Sequence, residues 1–176
     1  MSLRYAALGL LAQQPGSGYD LLKRFENSMA NVWPATQSQL YGELNKLADA
    51  GLIEVTDIGP RGRKEYRVTE AGREDLLHWM TAADDDPPYR NAGLLRIFLL
   101  GEMSPGLARA HVIGVGEHAD AQLARYERIR DWFDRDDSDS DADFYARAAL
   151  EFGIRRSVME ADWARWLVQE IDRRTT

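Results

Sequence analysis

A short helix that runs directly into a charged hairpin, residues 33–73 (WPATQSQLYGELNKLADAGLIEVTDIGPRGRKEYRVTEAGR), most limits what this chain can fold into. Thr36, with Gln39 three residues on, matches a capping box, in which each side chain satisfies an orphan backbone donor at the other position. Leu40, Leu44 and Leu47 recur at i, i+4 and i+7, so they share one face and predict a helix turned toward a core. The opposite face carries Ser38, Tyr41, Gly42 and Asn45, which are hydrogen-bonding groups and one residue with no side chain to hold a partner off. Gly51 predicts a left-handed C-cap. The alternative is an ordinary solvated face, which more often carries Glu and Lys pairs at helical spacing.

Downstream, Leu52, Ile53 and Val55 supply one strand-forming run, and Tyr66 and Val68 a second alternating one. Gly59-Pro60-Arg61-Gly62 is a turn signal between them. Residues 61–73 hold Arg61, Arg63, Lys64, Arg67 and Arg73 against Glu65 and Glu70, a local net charge of +3 on a chain of net −7. Cations on a hairpin tip can neutralise phosphates and release counterions, the main source of sequence-independent affinity for nucleic acid. A charged hairpin by itself can equally be a solubility device. Helix and hairpin together predict a DNA reader, with Gln37, Ser38, Gln39, Tyr41, Asn45 and Lys46 on the helix and Arg61, Arg63 and Lys64 on the wing as candidate contacts.

With those residues set out, the chain resembles the PadR-type transcriptional regulators, a winged-helix family named for control of phenolic acid decarboxylation. The matching stretches are LGLLAQQPGSGYDLLKRFE, WPATQSQLYGELNKLADAGLIE and GRKEYRVTEAGREDLLHWM, with a weaker one, LEFGIRRSVMEADWARWL, near the C-terminus. Gly42 stands where family members commonly have proline. The resemblance implies C-terminal helices that dimerise and a small, phenolic effector.

Taken in order, Leu3 to Gln13 reads as a first helix with Leu8 and Leu11 inward, broken by Pro15-Gly16-Ser17-Gly18. Tyr19, Leu22, Phe25 and Met29 then predict the stripe of a second helix, with Lys23 and Arg24 beside it as solvated charge or phosphate contacts. Trp33-Pro34 redirects the chain, since proline disfavours a helical residue before it. Helix, helix, recognition helix and wing in that order make a winged helix-turn-helix, in which the third helix enters the major groove. Thr69 caps a further helix, and Asp84-Asp85-Asp86-Pro87-Pro88 marks a break. The expected fold is mainly α with a small β-hairpin wing. It comprises an N-terminal winged helix-turn-helix domain, residues 1–83, and a C-terminal helical dimerisation and effector-sensing domain, residues 89–176.

In the second half, Leu94, Leu95, Ile97, Phe98 and Leu99 predict a compact apolar helix. Ser104-Pro105 starts a long one reaching about Arg135, with Val112, Val115, Ala119, Leu123, Tyr126, Ile129 and Phe133 on one stripe. Asp136 to Asp143 reads as an acidic loop and Phe144 to Arg173 as the last helix. That helix is apolar on two sides: Phe152, Met159, Trp163 and Trp166 on one, and Leu150, Ile154, Val158 and Val168 on the other. A helix apolar all round is buried on more than one side, so a second subunit across a twofold axis is expected to cover one face; a tightly wrapped monomeric bundle is the alternative.

Charge divides unevenly: residues 1–82 are net −1 and residues 83–176 net −6. A near-neutral reading half predicts modest affinity for one copy, so two copies on one site are expected. The expectation is a sequence-specific transcriptional regulator, a repressor, that binds an inverted repeat in double-stranded DNA as a homodimer. A small aromatic effector that alters the angle between the halves would release it; the sequence names no pocket residue. The rival reading is a winged-helix protein–protein adaptor without direct DNA readout.

An enzyme is not expected, since the chain shows no phosphate-binding glycine loop, metal triad or nucleophile elbow. Gly114-Val115-Gly116 lies inside a helical run without a preceding strand. No metal or cofactor is expected. His111 and His118 share a face but lie seven residues apart without a third ligand, and DDSDSDAD lacks the glycine and glutamate of a calcium loop. The absence of cysteine suits a reducing cytoplasm. Neither a signal peptide nor a membrane span is read, with Arg96 interrupting the most apolar stretch.

Overall fold

The computed structural model describes residues 2–28, 33, 35–82, 90–135 and 140–175. The chain divides into two compact units, Met1–Asp86 and Pro87–Thr176. The first unit runs α1 (Ser2–Gln13), β1 (Gly16–Ser17), α2 (Gly18–Ser28), α3 (Gln37–Asp49), β2 (Ile53–Ile58), a 3-10 turn (Pro60–Gly62), β3 (Lys64–Val68) and α4 (Glu70–Thr81). Its core takes Ala7, Leu8, Leu10 and Leu11 from α1, Leu21 and Phe25 from α2, and Leu40, Leu44 and Leu47 from α3. Leu52, Ile53, Tyr66 and Val68 close it from the hairpin side.

Two expectations change here. The second helix buries Leu21 and Phe25, four apart, while Tyr19 is exposed. The inward stripe is therefore turned from the one read off Tyr19 and Leu22; Met29 lies outside the described residues. The segment read only as a helix breaker also forms β1, a two-residue strand that pairs antiparallel with β3, Gly16 opposite Tyr66 and Ser17 opposite Glu65. The wing is thus part of a three-stranded sheet of order β1-β3-β2 rather than a free two-stranded ribbon. β2 and β3 pair from Ile53 opposite Val68 to Ile58 opposite Lys64, with a bulge between Val55 and Asp57. Such a bulge adds a residue to one strand and bends it locally. At the hairpin end, Gly62 adopts φ +77, a left-handed conformation natural to glycine.

The second unit holds α5 (Ala92–Phe98), a 3-10 turn (Leu100–Glu102), α6 (Pro105–Phe133) and α7 (Asp141–Thr175). Asn91 caps α5, its side chain accepting from the Leu94 amide at 3.0 Å. α6 and α7 form a long helical hairpin. Ala108, Val112, Gly116, Ala119 and Phe133 of α6 are buried, as are Ile154, Ser157, Ala161 and Ala164 of α7. The seam is made mostly of small side chains: a Cβ on Gly116 would stand 3.3 Å from that of Ala164. Short side chains let the helix backbones approach closely, and interiors at native density tolerate little added volume.

The expectation of two apolar sides on the last helix holds with altered membership. Ile154 is buried, but Val158 is exposed, and Ser157, Ala161 and Ala164 take the packed positions instead. The helix also starts earlier than Phe144. Ser140 caps it, its hydroxyl accepting from the Asp143 amide at 3.2 Å, so the end of the acidic run is the first turn of α7. Residues 136–139 of that run, and the break at 84–88, lie outside the described residues. Among the described residues no helix is long and apolar enough to cross a membrane.

Candidate nucleic-acid interface

α3 begins as the sequence predicts. The Gln39 amide donates to Thr36 Oγ1 at 3.3 Å, and the Thr36 amide donates to Gln39 Oε1 at 2.8 Å. The cap commits the Gln39 side-chain oxygen to holding the helix start. At the other end Gly51 has φ +70, and its amide donates to the Ala48 carbonyl at 3.0 Å. Both ends therefore find partners for backbone groups that a helix terminus leaves unpaired.

The inner face of α3 is closed: Leu40, Leu44 and Leu47 are at most 1% exposed. Its outer side shows Gln37, Ser38, Gln39, Asn45 and Lys46 to solvent. Gly42 sits among them, and among the described residues no atom outside its own helix backbone and chain neighbours lies within 4 Å of where its Cβ would be. A bare backbone flanked by short amides and a hydroxyl is a surface that a groove could approach closely. Lys46 Nζ bonds Glu43 Oε1 at 2.7 Å but keeps 73% of its side chain exposed.

Tyr41 is placed differently from the rest. It is half-buried on the flank of α3, packed against the core, and a Cβ on Gly18 would stand 2.6 Å from its ring. A side chain at Gly18 would displace the Tyr41 ring from this position. Burial pushes the Tyr66 hydroxyl above its usual value, with the neighbouring Tyr41 adding to the effect. Tyr41 is thus half-buried between α3 and the first residue of α2.

At the wing, Lys64 and Arg67 are exposed on β3, and Arg67 is held by Glu54 of β2 at 2.6 Å. The backbone of Arg61 lies in the 3-10 turn, while its side chain lies outside the described residues. Arg63 is engaged twice, its Nη2 lying 2.8 Å from Asp20 Oδ2 and 3.1 Å from Glu65 Oε1. Asp20 is itself fixed, since Oδ2 accepts from the Ser17 hydroxyl at 2.6 Å and from the Ser17 amide at 3.1 Å. These bonds, with the Arg63 charge, hold the Asp20 carboxyl below its ordinary value.

Arg24 has a further role that helix periodicity did not reveal. Its Nη1 donates to the carbonyls of Leu10 at 3.0 Å and Gln14 at 2.7 Å, so it caps the end of α1 rather than standing in solvent. Cations at a helix C-terminus satisfy its free carbonyls and oppose its negative pole. Helix periodicity does not reveal the Ser17–Asp20 pair either, because Ser17 lies in the segment that reads as a break and Asp20 off the apolar stripe of the second helix. The one available signal was local: a serine followed three residues later by aspartate at the start of an apolar run.

Comparison with known proteins adds to this geometry. Residues 7–78 match the transcriptional regulator PadR-like family, and residues 89–172 match a family described as virulence activator alpha C-term. Over 81 residues the chain is 40% identical to the negative transcriptional regulator PadR of Bacillus subtilis, a match spanning 44% of each chain. The match therefore covers less than half the length of that relative. Two crystal structures of Bacillus subtilis PadR align along almost the whole chain at 26% identity. The one in complex with operator DNA has a TM-score of 0.81 and covers 97% of this chain and 99% of the other. The one in complex with p-coumaric acid has a TM-score of 0.85 and covers 98% and 99%.

Proposed function

The chain belongs to the PadR-like family of transcriptional regulators, and from that premise we propose that it represses transcription as a homodimer on an inverted-repeat operator. The observation that carries the reading is α3 itself. Its three leucines are sealed in the core, while its far side offers mainly uncharged hydrogen-bonding groups and an open glycine, with Lys46 as its cation and Asp49 as an acidic group at its C-terminal end. In a winged helix-turn-helix that side faces base edges in the major groove. Asn and Gln amides can pair with the N6 and N7 of adenine, while Ser can accept or donate and Lys can donate at other edges. Gln37, Ser38, Asn45 and Lys46 would contact the groove, Gln39 would reach it only through its side-chain NH2 because the cap holds its oxygen, and Arg61 and Lys64 would contact the adjoining phosphates. Tyr41 would act by holding the helix in place.

The second copy follows from α7. Tyr145, Phe152, Met159 and Trp166 recur every seven residues and are 68%, 70%, 58% and 52% exposed. They form one stripe along about 30 Å of helix. Contiguous apolar surface of that extent marks an interaction site. A twofold partner would cover it and present two recognition helices to successive major grooves, about 34 Å apart. The relative crystallised with p-coumaric acid supports a small aromatic carboxylate as effector. Such a ligand releases DNA only through unequal affinity for the binding and non-binding forms of the dimer.

Salt titration of binding to a duplex selected by the chain from a random pool tests this reading. Binding should weaken as salt rises, roughly in proportion to the phosphates neutralised. A chain that enriches no sequence, and binds all duplexes equally, would overturn it.

A further inference from the structure

The geometry points to Asp20 as a positioning residue for the wing, acting through Arg63, so that Arg63 fastens the hairpin to α2 instead of gripping DNA. This rests on the DNA-binding reading above and deepens it.

Arg63 is the first residue after the 3-10 turn, and its carbonyl accepts from the Gly59 amide at 2.7 Å, closing the hairpin end. Its guanidinium does not extend freely from that end; it reaches Asp20 and Glu65, on α2 and β3. The Asp20 carboxylate is anchored from behind by both the hydroxyl and the amide of Ser17. Ser17 is 1% exposed, and its strand pairs with β3 at Glu65. One nitrogen of the guanidinium, Nη2, therefore joins two elements that the sheet already brings together. Two carboxylates on Arg63 also leave it little unshared charge for a phosphate. Among the described residues Lys64, the first of β3, has no such arrangement, and its side chain is exposed.

A contact residue and a fastener respond oppositely to loss of the carboxylate. If Arg63 gripped phosphate, Asp20 would compete for it, and Asp20→Asn would tighten binding. If Arg63 is a fastener, Asp20→Asn and Arg63→Gln should be alike. Exposed ion pairs hold little free energy, so each variant is expected to weaken binding to the selected duplex by about two- to fivefold. The double variant should be no weaker than the weaker single. The slope of log affinity against log salt should stay that of the intact chain in all three. Lys64→Gln, by contrast, should lower that slope by roughly 0.9.

A second measurement needs no DNA. Hydrogen exchange at the Gly59 and Arg63 amides should quicken in Asp20→Asn and Arg63→Gln while the α3 amides keep their protection. Arg63→Gln lowering the salt slope by roughly one contact, with Asp20→Asn binding more tightly, would overturn the assignment. So would unchanged wing exchange. If no duplex is selected, the DNA-binding reading falls, and the exchange result alone decides whether Asp20 holds the wing.

Discussion

At Gly72, α4 comes so near the segment after α3 that a Cβ would stand 2.1 Å from the Leu52 carbonyl oxygen. Backbone cannot yield as a flexible side chain does, so Gly72→Ala should cost about 1–3 kcal/mol or more in urea unfolding. Gly42→Ala is its opposite, because the position is helical and open. A gain of about 0.5–1 kcal/mol is expected in the same measurement, with a new methyl on the surface proposed to face DNA. Asp20 carries a pH dependence. Its carboxyl is held below the ordinary 3.8, first by the Ser17 hydroxyl, then by the Ser17 amide, with Arg63 adding a smaller part. A lowered folded value means stability that is complete above 3.8 and lost as the pH falls through the folded value. The stability difference between the intact chain and Asp20→Asn should therefore be constant near neutrality and shrink in acid, read by chemical unfolding at a series of pH values. What was legible at this scale was local. Thr36 with Gln39, Gly51 and the Thr69 cap are fixed by neighbours within one turn, whereas Gly72 and Asp20 take their meaning from residues on other elements.

Elements were legible where periodicity ran long and misread where packing partners decided. The leucine stripe of α3, the wing turn and the extent of α6 follow from spacing alone. Three features did not. β1 has too few residues to show a period, and exists because β3 offers it an edge. The inward side of α2 is set by which residues meet α1, α3 and the sheet, so Leu21 outranks the exposed Tyr19. On α7 the spacing of large apolar residues points to one packed side, yet the close α6–α7 seam selects Ser157, Ala161 and Ala164. That seam makes a testable claim: Ala161, 1% exposed, should not accept a larger side chain. Ala161→Leu should destabilise the second unit by about 1–3 kcal/mol, read by calorimetry, though leucine is the better match to a hydrophobic pattern. In α3, Thr36→Ala should cost about 1 kcal/mol through loss of the cap.

For the molecule as a whole, the proposed repressor needs both units of two chains. The candidate contacts were readable as residue types at a spacing, but not which of them the fold holds back. Tyr41 is drawn into the flank of α3 and Arg63 into a pairing with α2, because each meets a partner distant in sequence. Phe152→Asp with Trp166→Asp places charge on the exposed stripe of α7 without touching its packed face. Sedimentation should then show a monomer with intact helicity, and affinity for an inverted repeat should fall toward that for a single half-site. The most direct test of the central claim is a mobility shift of the selected duplex and a scrambled one against the intact chain and Asn45→Ala. The account predicts that the intact chain prefers the selected duplex and that Asn45→Ala loses about 1–3 kcal/mol of that preference while still binding both. Equal preference before and after the substitution would contradict it.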